Sequence, residues 1–172
     1  MCVLILLGLV FGTRISLMKE KNKLNEMFAT ADLNGATIST RITTLIEESD
    51  KLCGEAVSVL NSSDAEYKAV TEAKEKLSKA KKPDKQYQAM NELASAAIIL
   101  AGKTKNAMTD VNAASYKQVV GAFGVIEGIR DRLVDFRADY NNAVRKFNNT
   151  RNAFPCRIFA ILGLVGEAVP FD

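Results

Sequence analysis

The sequence has no histidine and no tryptophan, only three prolines and three cysteines. Without histidine there is no Ser-His-Asp or Cys-His catalysis, no histidine zinc ligation and no histidine pH switch. The cysteines Cys2, Cys53 and Cys156 are odd in number and far apart. That spacing suits neither a disulfide framework nor a CxxC metal site. Small buried hydrophobes are the reading for Cys53 and Cys156. No phosphate-cradling glycine loop and no activated nucleophile is visible. Ten glycines and three prolines in 172 residues leave few breaks, and Ala, Lys, Glu, Asn and Leu favour helix.

What is present is a globular chain of single-domain length. It is 48% hydrophobic and 25% charged, with a net charge of +3. That charge is too small to imply nucleic acid. Residues 130–157 carry seven Lys/Arg against three Asp, a basic stripe that reads as a solvated helix face.

The first twelve residues, MCVLILLGLVFG, hold no charge. As a helix they span about 18 Å, and extension to Met18 gives about 27 Å with Arg14 able to snorkel. Residues 1–18 are therefore expected to be a membrane anchor. A buried core helix and a signal peptide compete with it; the latter lacks a basic start and an A-x-A site. The lysines that follow place the body on the cytoplasmic side of a single-pass protein.

Helical periodicity fills residues 19–155. Asn34-Gly35 is a turn signal. A stripe from Ile38 to Leu60 is followed by NSSD, where Ser62 or Ser63 can cap and Asp64 and Glu66 suit the first turn. The next stripe runs from Tyr67 to Ala80, and Pro83 either opens a new helix or kinks a continuing one. Tyr87 to Leu100 resumes the pattern, and KTKNAMTDVN (103–112) reads as a loop with Thr109, Asp110 or Asn112 as caps.

The last stripe is the longest. Tyr116, Val119, Phe123, Ile126, Ile129, Leu133, Phe136, Tyr140, Ala143, Phe147 and Phe154 recur by threes and fours. A helix of roughly 58 Å needs other long helices beside it. The expected fold is all-α: an elongated antiparallel up-and-down bundle of about four helices, preceded by a hydrophobic N-terminal helix. Residues 156–172 form an apolar tail expected to fold back on the bundle.

Four features invite functional readings. Gly124-xxx-Gly128 points to close helix approach or local softness, since neighbouring charges exclude a membrane span. Glu47, Glu48, Glu72, Glu75 and Glu92 suggest a di-metal bundle site, but such sites need Glu-x-x-His pairs. Asn141 and Asn148, seven apart beside Tyr140 and Phe147, share a helix face. They serve either to meet a ligand or to fix register by hydrogen bonding across the bundle. Phe154-Pro155 stops the helix. Tyr140, Asn141, Phe147, Asn148, Phe154 and Pro155 are thus the candidate interaction or register residues.

The C-terminal stretch resembles the LemA family. Its pattern is matched at Arg132-Leu133, Arg137, Tyr140-Asn141, Ala143-Val144, Phe147-Asn148 and Phe154-Pro155. In the tail it is matched at Phe159-Ala160, Gly163, Pro170-Phe171 and Asp172. Further upstream, Asn25, Phe28, Asp32, Leu45 and Glu47 fall in register with the family's first block. Its double arginine and Leu-Ile-Pro-Asn-Leu run are echoed only by Arg41-Ile42 and Leu45-Ile46. The resemblance implies a membrane anchor followed by an antiparallel bundle of roughly four helices, and carries over no catalytic residue. The function expected is a non-catalytic interaction or scaffold module, attached to membrane through residues 1–18 and binding a protein partner or itself. No cofactor, nucleic acid or small-molecule substrate is expected. The alternatives are a soluble self-associating bundle, or an accessory subunit of a membrane enzyme such as a protease.

Overall fold

The computed structural model describes the backbone of residues 2–29 and 37–171, and the side chains of 11–27 and 37–171. The turn expected at Asn34-Gly35 lies outside the described residues. The chain is all-α, with α1 Cys2–Ala29, α2 Ile38–Val59, α3 Ala65–Lys79, α4 Pro83–Ala107, α5 Ala114–Asn152 and α6 Arg157–Ile161. It divides into two compact units. One holds residues 31–136, the other residues 1–30 with 137–172.

In the unit 31–136, α2, α3 and α4 pack as an antiparallel bundle. Buried Leu45, Leu52, Val70, Leu77, Met90, Leu93 and Leu100 build its core, joined by Val119, Ile126 and Leu133 of α5. Alanines 89, 94, 97 and 101 are also buried, and such short side chains allow neighbouring helices close to α4. Ion pairs at opposite ends set the α3/α4 register. Lys76 meets Glu92 at 3.0 Å, and Lys103 meets both Asp64 and Glu66 at 2.6 Å. Lys74 pairs with Asp50 between α3 and α2.

Local chemistry explains the helix ends. Thr37 caps α2, its Oγ1 accepting from the Thr40 amide at 3.0 Å. Asp64 caps α3, accepting from the Glu66 amide at 3.1 Å; it is the cap itself, where Ser62 or Ser63 was expected. Lys103 holds the Asp64 carboxyl down at about 2, the Glu66 contacts adding to the effect. Pro83 opens α4 at its first turn, so it starts a helix and kinks none. The loop expected over 103–112 begins only at Met108. Thr104 continues the buried stripe, its hydroxyl donating to the Leu100 carbonyl at 2.8 Å, and Lys105 suits the last turn. Asp110 serves a turn within that loop, accepting from the Asn112 amide at 2.9 Å.

Two further expectations change. Among the described residues, a Cβ added at Gly121, Gly124 or Gly128 would meet nothing within 4 Å, so close helix approach is not their role. Gly124 and Gly128 instead line an open recess of about 330 Å³ with Thr40, Arg41, Thr44 and Arg132. The cysteines Cys53 and Cys156 are half-buried rather than core, and partial burial pushes the Cys53 thiol up.

The unit formed by residues 1–30 and 137–172 positions the candidate site. Its buried side chains are Leu17 and Leu24 of α1, Tyr140, Val144 and Phe147 of α5, Phe159 of α6, and Val165, Ala168 and Phe171 beyond it. Among the described residues no helix is long and apolar enough to cross a membrane. The span expected over residues 1–18 is not supported by this, and the side chains of residues 1–10 lie outside those described. The charge-free run stops at Thr13, and Arg14, Lys19 and Glu20 follow within three turns.

Candidate functional site

The site is built where α5 meets the tail. α6 lasts only five residues and ends in a Schellman turn. The Gly163 amide donates to the Ala160 carbonyl at 3.1 Å, and the Leu164 amide to the Phe159 carbonyl at 3.0 Å. Gly163 takes φ +68°, which a residue without a Cβ adopts freely. The turn sends the chain back along α5.

From Val165 onward burial repeats every third residue: Val165, Ala168 and Phe171 are buried, and the residues between them are exposed. A chain with three residues per turn and about 3.1 Å of rise has this period, and Pro170 suits it. Such a chain makes no internal hydrogen bonds, so its peptide groups need partners. Helix α5 supplies them. Asn141 Nδ2 donates to the Phe171 carbonyl at 2.8 Å, and its Oδ1 accepts from the Phe171 amide at 2.7 Å. Asn148 treats Ala168 the same way, donating at 2.9 Å and accepting at 3.1 Å. Arg151 Nε donates to the Val165 carbonyl at 2.8 Å, and Arg137 Nε to the Phe171 carbonyl at 3.4 Å. From the other side, Lys21 Nζ of α1 donates to the Gly166 carbonyl at 3.1 Å.

Asparagine is the side chain for this task because a carboxamide both donates and accepts, as a peptide group does. Each one completes both backbone groups of a single residue, in place of a neighbouring strand. The spacing follows from the two rises. Seven helical residues advance about 10.5 Å, and three residues of a threefold extended chain advance about 9.3 Å. A heptad on α5 therefore matches one period of the antiparallel tail, from Phe171 back to Ala168. Apolar contact works with the clamp. The Tyr140 and Phe171 rings stack with centroids 3.8 Å apart and planes 4° from parallel. Phe147 is buried on the same helix.

The structure thus brings four of the six candidate residues, Tyr140, Asn141, Phe147 and Asn148, to one length of α5. Phe154 and Pro155 lie apart from them. α5 ends at Asn152, two residues short of the last expected inward position, so Phe154 leaves the stripe and is 85% exposed. Pro155 lines an open recess of about 370 Å³ with Gly12, Ser16 and Leu17 of α1. Arg151 and Arg137 also hold the tail; sequence reasoning named Arg137 only as part of the family pattern and did not single out Arg151. Arg151 lies three residues after Asn148, hence on its face, and that spacing was the available signal. A groove of about 600 Å³ runs beside the clamp, lined by Val144, Arg145, Asn149 and Glu167 among others.

Chemically, the clamp holds no reacting group. Elsewhere, Glu48, Glu75 and Glu92 are paired with Lys51, Lys79 and Lys76. Among the described residues no group of three or more His, Cys, Asp or Glu side chains is placed to hold a metal ion.

The LemA family profile matches residues 51–171, more than half the chain, including the whole clamp. This chain belongs to the LemA family. No curated protein and no solved structure matches it. The matched residues begin within α2, so the N-terminal block around Asn25 to Glu47 lies outside them.

Proposed function

We propose that this LemA-family chain is a non-catalytic interaction module, its C-terminal clamp serving to build a surface rather than to react. One observation supports this most directly. The polar side chains with the most functional promise, Asn141 and Asn148, spend donor and acceptor alike on the chain's own backbone. What remains for other molecules is the surface that the clamp orders: the exposed face of α5, the tail's outward residues and the turn between them.

The test is affinity capture from detergent-solubilised membranes with the full chain as bait. An Asn141→Ala/Asn148→Ala variant runs alongside it. A specific interactor lost in the variant, with helicity and melting of the helical body kept, supports the reading. Retention of every interactor by a variant whose tail has come loose would refute a role for the clamp-ordered surface. A turnover assigned to the purified chain would refute the non-catalytic part.

A further inference from the structure

The turn that the clamp holds in place is apolar on its outside. Phe154 is 85% exposed, Ile161 74% and Leu162 63%, and Ile158 and Leu164 are also exposed. Phe159 is buried beneath them, so the turn has an inner anchor and an outer apolar crest. A contiguous crest of this kind in a folded chain marks a surface that something covers. Helix α1 passes beside it. Gly12, Thr13, Ser16, Leu17 and Glu20 share a recess with Thr150, Pro155 and Cys156. The ten residues Cys2–Phe11 continue α1 beyond that recess by about 15 Å. They are uncharged throughout.

The charges around the crest are mainly of one sign. Residues 1–20 contain Arg14 and Lys19 against one carboxylate, Glu20, which lines the recess. Residues 140–167 contain Arg145, Lys146, Arg151 and Arg157 against Glu167. A second copy of this unit would bring the same cations against each other. An anionic lipid surface would not.

We propose that the α5–α6 turn is an interfacial membrane-insertion site, its crest seated at the headgroup–acyl boundary of an anionic bilayer beside the start of α1. This goes beyond the interaction-module reading, and either can fail without the other.

The absence of native tryptophan gives a direct test. Full-length chain carrying Leu162→Trp is mixed with phosphatidylcholine vesicles, with and without phosphatidylserine. The emission should shift to the blue with the anionic vesicles and be quenched by brominated acyl chains. Val134→Trp, exposed on the part of α5 in the other unit, should keep a water-like emission. In flotation, Ile161→Asp/Leu162→Asp should lower vesicle partitioning by about tenfold or more with helicity unchanged. Three results overturn the proposal. One is a chain that does not float. Another is a chain that floats while the Leu162→Trp emission stays water-like, so that the N-terminal run alone inserts. The third is a blue shift that follows protein concentration without vesicles, so that another copy covers the crest.

Discussion

Replacing Asn141 tests the clamp most sharply. Asn141→Ala removes two hydrogen bonds, both to Phe171 and both under 3 Å. At about 0.5–1.5 kcal/mol net for each, the tail should lose on the order of 1–3 kcal/mol of local stability. The Phe171 ring and its stack on Tyr140 remain, and burying such a side chain contributes about 1.5–3 kcal/mol. The tail should therefore loosen while the helical body keeps its melting behaviour. Amide hydrogen exchange is the assay. Exchange at the Phe171 amide should accelerate roughly fivefold to a hundredfold. Ala168, held by Asn148, should follow if the tail opens as one piece. Asn141→Asp refines the test. A carboxylate still accepts from the Phe171 amide but opposes its carbonyl, whereas the neutral acid again both accepts and donates. Tail protection in this variant should therefore fall between that of the native chain and that of Asn141→Ala. An unchanged exchange rate at Phe171 in Asn141→Ala would refute the clamp.

Four other substitutions probe the helical body. Ser49 is fully buried on α2 and its hydroxyl has no hydrogen-bond partner among the described residues, so Ser49→Ala should stabilise by on the order of 1 kcal/mol in urea unfolding; a comparable loss would reveal a bond to that hydroxyl. Lys103→Met should raise the Asp64 pKa from about 2 toward its ordinary 3.8 in an NMR titration. In the native chain the stability from this depressed carboxyl is present above pH 3.8 and lost as pH falls through about 2; in the variant that acid-side loss should shrink to the part owed to the Glu66 contacts. Gly124→Ala and Gly128→Ala meet open space and should each stabilise α5 by about 0.8–1 kcal/mol, whereas a loss in thermal unfolding would restore a packing role.

How far the sequence could be read depended on whether a residue's partner lay within its own element. The stripe through Val119, Ile126, Ile129 and Leu133 specifies a helix by its own spacing, and Pro83 marks a helix start by its missing amide. The heptad from Asn141 to Asn148 places two amides on one face without naming what they bind. Their partner is a segment whose period of three matches neither the helical nor the strand template. Loop-like chemistry misled at Thr104, where a hydroxyl that bonds one turn back sits in a buried stripe. It misled again at Phe154, because α5 ends before the periodicity reaches that residue. Glycines 124 and 128 fit a packing motif on spacing alone, but whether another helix lies against them is a tertiary fact.

The asparagine clamp has a consequence for how this end of the chain can vary. It grips peptide groups, so it is indifferent to the side chains that the tail turns outward. It is strict about count. One residue inserted between Ala168 and Phe171 would put a peptide group out of reach, while almost any exchange at Glu167 or Val169 would pass. A longer end is compatible with the clamp only in matched increments, a heptad added to the helix for every three residues added to the tail. Lengths are thus gauged here, and composition is left free.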